Sequence, residues 1–185
     1  MANQYFNFYY DPVRQGYDTD TWKTLSGVPV VAANKLSLTS AGILHFADLK
    51  RGDVSFMINV AAPQAGDDRK IGIIEYNKGA LLYFKIADDV LTAECSDGIT
   101  TKSTIIDWVS DWTSTDTVFR IKWEAGVATF YVGGEFKVQL TNSSILDIPV
   151  ISIPSDPMSL YVDNQTATAL LITYIEVLGV ESAIL

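Results

Sequence analysis

Two tryptophans in a polar segment are the residues whose types and spacing best fit a chemical task. Trp108 and Trp112 lie four residues apart, and Asp111 directly precedes the second. Recognition of a sugar requires an aromatic ring for its apolar face and planar polar groups for its hydroxyls. Trp108, Asp111 and Trp112 are therefore candidate carbohydrate-binding residues, joined by Tyr76 and Asn77 from a second turn. The alternative for Trp112 is packing in the core or at the rim of the fold.

The residue types of common hydrolases and metal sites are scarce. His45 is the only histidine and has apolar neighbours, which is typical of a structural histidine. Cys95 is the only cysteine, so the chain has no internal disulfide, and one His with one Cys cannot close a zinc site. Turn aspartates such as Asp67 and Asp88 are candidate Ca²⁺ ligands, but none follows a D-x-D-x-D-G spacing. Solvated turn residues are the simpler interpretation, so we predict no cofactor and assign no metal ligands.

The strands that position these residues are most evident between residues 117 and 140. Phe119, Ile121 and Trp123 alternate with charged residues, which predicts a strand with one buried face. Two further apolar runs follow, and glycines at both junctions tolerate the positive φ that tight hairpin turns require. This stretch is predicted to be a three-stranded meander.

Similar alternation and regularly spaced turn residues extend over the rest of the chain. They predict an all-β fold, an antiparallel β-sandwich (jelly roll) of about 12–15 strands, with residues 1–185 as one domain. Apolar residues make up 48% of the chain, which is ample for a core. Within this pattern, we expect a turn at residues 50–53 that separates a strand at residues 43–47 from another at residues 54–60.

Four segments of the chain resemble the concanavalin A-like lectin/glucanase (laminin-G-like) superfamily. They are residues 54–60, the hairpin at residues 71–86, the FRIKW…FYVGGE meander and the strand at residues 171–177. The resemblance implies the sandwich fold. It leaves the activity open, because this superfamily includes enzymes, lectins and structural modules.

Glycoside hydrolases of that superfamily carry closely spaced acids on one strand, in an E-x-D-x-x-E or E-x-D-x-E arrangement. The nearest match here begins at Glu75, where Asn77 replaces the middle acid and the third acid is missing. A retaining mechanism needs two carboxyl groups about 5 Å apart. We therefore predict that the protein is not an enzyme.

The N-terminal segment is unusually aromatic for a chain terminus. Its candidate partner-docking residues are Tyr5, Phe6, Phe8, Tyr9 and Tyr10. Two interpretations remain open for residues 1–12, which form either a docking arm for a neighbouring subunit or an edge strand of their own sheet.

Charge and hydropathy exclude several partners. The net charge is −9 with no basic stripe, which argues against nucleic acid, and no apolar run approaches the ~18 residues of a membrane span. The N-terminus lacks the features of a signal peptide, so we expect cytoplasmic synthesis followed by a place in a virion or another extracellular assembly.

These observations favour a non-catalytic structural or interaction protein on the surface of a large assembly. A bacteriophage virion protein (a capsid decoration, head-fibre or tail-associated subunit) is the main prediction, with other protein subunits as its partners. The alternative is a lectin-like module that binds a cell-surface or polysaccharide glycan.

Overall fold

The chain forms an all-β fold of fourteen strands in the part that the computed structural model describes. That part comprises residues 5–75, 80–99, 101–113, 115–124, 126–141 and 158–181, without the side chains at positions 5–7, 46–48, 50, 97 and 179–181. The strands are β1 Tyr5–Tyr10, β2 Lys23–Ser26, β3 Val30–Ala32, β4 Lys35–Leu38, β5 Ala41–Asn59, β6 Asp68–Ile74, β7 Ala80–Ala87, β8 Val90–Asp97, β9 Thr101–Ile106, β10 Thr117–Glu124, β11 Val127–Val132, β12 Glu135–Thr141, β13 Met158–Asn164 and β14 Leu170–Glu181. A short helix, α1 Pro12–Gln15, and a 3-10 turn, Ser110–Thr113, complete the elements, and neither helical segment is long and apolar enough to cross a bilayer.

The strands pair antiparallel into two sheets that pack as a sandwich. The front sheet has the order β12-β11-β10-β5-β14, with β1 and β4 along different parts of β14 and β3 beyond β4. The back sheet has the order β2-β5-β13-β6-β7-β8-β9. The long strand β5 belongs to both sheets, because its first half pairs with β13 and its second half pairs with β10 and β14.

The prediction of a turn at residues 50–53 is wrong. The structure has one continuous strand over Ala41–Asn59. Gly52 pairs with Trp123 on one side and with Gly179 on the other, so backbone pairing on both edges holds this segment extended. Two neighbouring strands outweigh a local preference for a turn, because propensity depends strongly on tertiary context.

The core lies between the two sheets and is built from the inward-facing half of each strand. Phe84 of the back sheet is fully buried and meets Phe119 and Phe130 of the front sheet edge-on, at centroid distances of 5.2 and 5.1 Å. Aromatic pairs in this geometry add to the free energy of area burial. The predicted meander is present as β10, β11 and β12, and Gly133 and Gly134 have φ values of 61° and 85° at its second turn.

The N-terminal segment is an edge strand of its own chain. Residues 5–10 pair antiparallel with β14, from Tyr5 opposite Val180 to Tyr10 opposite Ile175. The interpretation as a free docking arm is therefore wrong for the backbone of residues 5–10, because this backbone pairs within its own sheet.

The side chains of β1 divide between the core and the surface. Tyr10 is 2% exposed, so its predicted availability to a partner is wrong, whereas Phe8 is half-buried with its ring 4.4 Å from that of His45, and docking through it stays a prediction. Tyr9 is 51% exposed and stacks on Tyr174 with a centroid distance of 5.7 Å. Docking through Tyr9 stays a prediction, whereas the side chains of Tyr5 and Phe6 lie outside the described residues.

Candidate functional site

A cleft of about 670 Å³ lies on the outer face of the front sheet. Ligand sites in proteins commonly have volumes of this order. Its lining residues come from β5, β10, β11, β14 and the loop before β10; they are Asp53, Ser55, Trp112, Thr115, Asp116, Thr117, Val118, Arg120, Tyr131, Gly133, Gly134, Glu176 and Leu178.

The floor of the cleft is a row of four residues that crosses the sheet. Glu176 lies opposite Ser55, Ser55 lies opposite Arg120, and Arg120 lies opposite Tyr131. Residues directly opposite each other on paired strands project to the same face. The small side chain of Ser55 thus separates a carboxylate from a guanidinium and an aromatic ring.

Arg120 is held in place at the centre of this floor. Its Nε donates a hydrogen bond of 2.7 Å to Oδ1 of Asp53, and Nη2 contacts the second carboxylate oxygen. The guanidinium carbon lies 5.2 Å from the centroid of the Tyr131 ring. The hydrogen bond to Asp53 keeps the pKa of Arg120 above its usual range, so the group is a permanent cation with further N–H donors for a ligand.

A second ion pair forms the wall beside the floor. Asp116 contacts Lys35 through Oδ1 and accepts a 2.7 Å hydrogen bond from Thr173 through Oδ2. Burial alone would raise the pKa of Asp116, but the hydrogen bonds from Lys35 and Thr173 lower it below its usual range. Asp116 is consequently ionised at neutral pH.

Trp112 reaches the cleft from the 3-10 turn at residues 110–113. The turn is closed by the hydrogen bond from Trp112 N to Val109 O, at 3.1 Å. The indole is 7% exposed and packs edge-on against Trp108 and Phe119, while Lys137 Nζ lies 5.3 Å from its ring centroid. Most of the ring is therefore occupied by protein contacts, and its exposed edge contributes to the wall of the cleft.

Trp108 and Asp111, two further predicted sugar-binding residues, do not line this cleft. Trp108 is half-buried behind Trp112. Asp111 is exposed, and its carbonyl oxygen accepts a 2.9 Å hydrogen bond from Thr115. Tyr76 and Asn77 lie outside the described residues.

A second polar cluster lies on the outer face of the back sheet. Tyr83 donates a 2.6 Å hydrogen bond to Glu94, which also accepts one of 3.2 Å from Thr92. Two strands away, Tyr161 donates a 3.1 Å hydrogen bond to Asp163. Glu94 and Asp163 are each 8% exposed, so both carboxylates belong to internal hydrogen-bond networks.

The fold makes room for this cluster with a glycine. Gly72 lies between Tyr161 and Tyr83 in the same row, opposite both. A Cβ at this position would lie 2.6 Å from the Cα of Tyr83 and 2.7 Å from its Cβ. Burial, the hydrogen bond to Glu94 and the negative charge of Glu94 raise the pKa of Tyr83 above its usual range.

The two buried carboxylates are too far apart to act as a glycosidase pair. Glu94 is on β8 and Asp163 is on β13, with β7 and β6 between them. Three strand spacings amount to about 14 Å, whereas paired carboxylates of glycosidases lie about 5–9.5 Å apart.

The only histidine and the only cysteine of the chain lie in the core. His45 is buried among Phe8 and Trp22, and burial lowers its pKa. The thiol of Cys95 is buried. Among the described residues, no three His, Cys, Asp or Glu side chains converge as a group that could hold a metal ion.

The central residues of the cleft were not singled out by their sequence context. Arg120 and Glu176 each occupy a polar position in an alternating strand, which is typical of a solvated face. Tyr131 belongs to an apolar run of the predicted meander, where an aromatic residue is typical of any strand. Their association depends on the pairing of β14, β5, β10 and β11, which are distant in sequence.

Comparisons with known proteins give the fold. No family model and no curated protein matches the chain. A Crh5 transglycosylase in complex with NAG superimposes with a TM-score of 0.75 at 16% identity, over 94% of this chain and 83% of that one. The catalytic domain of an endo-1,3-β-glucanase (laminarinase) from Thermotoga petrophila RKU-1 has a TM-score of 0.74 at 11% identity, over 98% and 100%. SCLam, a non-specific endo-β-1,3(4)-glucanase from family GH16, has a TM-score of 0.72 at 12% identity, over 98% and 94%. The chain thus has the concanavalin A-like lectin/glucanase fold that its resemblance to that superfamily implied.

Proposed function

We propose that this protein is a non-catalytic carbohydrate-binding module and that it binds a glycan in the cleft of the front sheet. The observation that carries this proposal is the guanidinium of Arg120, fixed by Asp53 and lying over the ring of Tyr131 in an open cleft. Fixed, planar hydrogen-bonding groups beside an aromatic ring suit a ligand that has hydroxyls and an apolar face. The sugar-active proteins that share the fold are consistent with this choice.

We also propose that the protein does not hydrolyse the glycan that it binds. Asp53 and Asp116 are both engaged by cations, which leaves Glu176 as the one unpaired carboxylate among the described residues of the cleft, whereas a glycosidase needs two carboxyl groups. Glu94 and Asp163 lie on strands about 14 Å apart. Incubation with β-1,3- and β-1,3-1,4-glucans should therefore release no reducing ends. Release that disappears in Glu94→Gln would contradict this part of the proposal.

Binding is tested by calorimetric titration of neutral gluco-oligosaccharides into the wild type and two cleft variants. Tyr131→Ala removes the ring, and Arg120→Ala removes the donors. We expect each to weaken binding at least about tenfold, because buried aromatic and arginine side chains dominate binding free energies. Arg14→Ala is the matched control, because Arg14 is 84% exposed on α1, outside the cleft. Wild-type affinity in both cleft variants, with folding verified by circular dichroism, would refute the site.

A place on the surface of a virion or another large assembly stays a prediction. It is compatible with glycan binding, because the subunit of such an assembly can also hold a sugar. Light scattering of the purified chain would measure its self-association directly.

A further inference from the structure

The charges around the cleft do not balance. Asp53 is paired with Arg120, and Asp116 is paired with Lys35. Glu176 lines the same cleft and has no ion pair or hydrogen bond from its side chain within the described part of the chain. Three carboxylates thus face two cations, which leaves one negative charge in a protein whose net charge is already −9.

The position of Glu176 makes this charge available to a ligand. Its side chain is half-buried and stands at one end of the floor row, next to Ser55. Ser55 on β5 and Tyr9 on β1 lie opposite Glu176 on its two sides, and neither side chain forms a hydrogen bond with the carboxylate in the described part of the chain. Glu176 is also close enough to Arg120 and Tyr174 to raise the pKa values of both. A charge that is half removed from water interacts with a ligand more strongly than one on an open surface.

The carboxylate of Glu176 and the guanidinium of Arg120 lie at different places along the floor of the cleft. The strands of Glu176 and Arg120 are two spacings apart, about 10 Å. The guanidinium end is already neutralised by Asp53, whereas the Glu176 end is not. An acidic sugar would therefore meet uncompensated repulsion at Glu176, and a sugar with a protonated amine would find a counter-ion there.

On the basis of the proposed function, we infer that the cleft selects amino sugars of the glucosamine type over neutral sugars and rejects uronic acids. Glu176 is the specificity-determining residue and contacts the ammonium group. Arg120 and Tyr131 bind the part of the saccharide that all three classes share. A charge-assisted contact at a half-buried site should give the amino sugar an advantage of about tenfold in Kd.

The test is a set of calorimetric titrations with matched tetrasaccharides of glucosamine, N-acetylglucosamine, glucose and glucuronic acid. They are carried out at about pH 6, below the pKa of a typical amino group. We expect the glucosamine oligomer to bind about tenfold tighter than the neutral oligomers and the glucuronate oligomer to bind weakest. Raising the salt from about 0.05 to 0.5 M should reduce these differences, because screening weakens charge interactions.

Glu176→Gln should abolish the advantage of the amino sugar, measured as the ratio of the Kd values of the glucose and glucosamine oligomers in the same variant. Glu124→Gln is the matched control, because it removes the same charge from an exposed residue outside the cleft and should preserve the wild-type order. Equal affinities in the wild type, or a preference that persists in Glu176→Gln, would overturn the inference while the proposed function stands. If no oligosaccharide binds, the proposed function and the inference both fail.

Discussion

Raising the pH above 10 should destabilise this protein by ionising tyrosines that the fold keeps protonated. Tyr10 and Tyr83 are almost fully buried, and Tyr161 is half-buried. Burial is the largest cause of the raised pKa of all three phenols, and the negative charges of Glu94 and Asp163 add to it for Tyr83 and Tyr161. The neutral form of each phenol is therefore favoured in the folded state.

The sign follows from proton binding in the two states. Below pH 10 a tyrosine is protonated whether folded or unfolded, and its contribution to stability is complete. Above pH 10 the unfolded chain loses the proton while the folded chain retains it, so the free energy of unfolding falls. The limiting slope is about 1.4 kcal/mol per pH unit for each tyrosine; because an unfolded tyrosine is only half ionised at pH 10, each contributes about 1 kcal/mol between pH 10 and 11, and the three together about 3 kcal/mol. This is a large part of the 5–15 kcal/mol typical of a domain.

The assay is urea unfolding followed by tryptophan fluorescence at pH 8, 9, 10 and 11. Tyr83→Phe keeps the ring and removes the ionising hydroxyl, so the loss of stability between pH 10 and 11 should shrink by about 1 kcal/mol. At neutral pH the same variant should be about 1–3 kcal/mol less stable, because Glu94 loses a buried hydrogen-bond donor. Lysines also titrate in this range, but they do so equally in every variant, so the difference between variants isolates the tyrosine.

Tyr9→Phe is the control for removing a phenol as such, because Tyr9 is half exposed. It should follow the wild-type curve. An identical pH dependence for Tyr83→Phe and the wild type would refute the reasoning. So would an unchanged free energy of unfolding between pH 9 and 11.

Three further predictions concern stability and reactivity. Gly72→Ala should destabilise the fold by about 2 kcal/mol or more in urea unfolding, because the new Cβ would lie 2.6 Å from the backbone of Tyr83; wild-type stability would contradict the packing of β6 on β7. Phe84→Ala should cost about 3–5 kcal/mol, since it leaves a cavity between Phe119 and the rest of the core. Cys95 should react with an aromatic disulfide reagent only as the chain unfolds, and fast labelling of the native protein would contradict its burial.

The strand pattern of the meander could be predicted because it depends on local chemistry. Phe119, Ile121 and Trp123 alternate with charged residues, and each of them is buried in the sandwich. The glycine pair at the second turn adopts the positive φ that its sequence favours. Residues 5–10 likewise form the strand that their aromatic composition suggests.

The long strand β5 could not be predicted, because its middle contains residues typical of turns. Gly52 remains extended only because β10 and β14 pair with it from both sides. Trp112 shows the same dependence. The sequence left a sugar platform and packing at the core or rim both open for Trp112, and the contacts of its ring with Phe119 and Lys137 in the folded protein favour packing.

The chain order of apolar and polar residues determined that this protein is a β-sandwich and which face of each strand is buried, because alternation is a property of one strand. Tertiary pairing alone decided where the cleft lies. Glu176, Ser55, Arg120 and Tyr131 form one row only through the register of β14, β5, β10 and β11. Register is a relation between distant segments, and a shift of one residue would turn every one of these side chains to the other face.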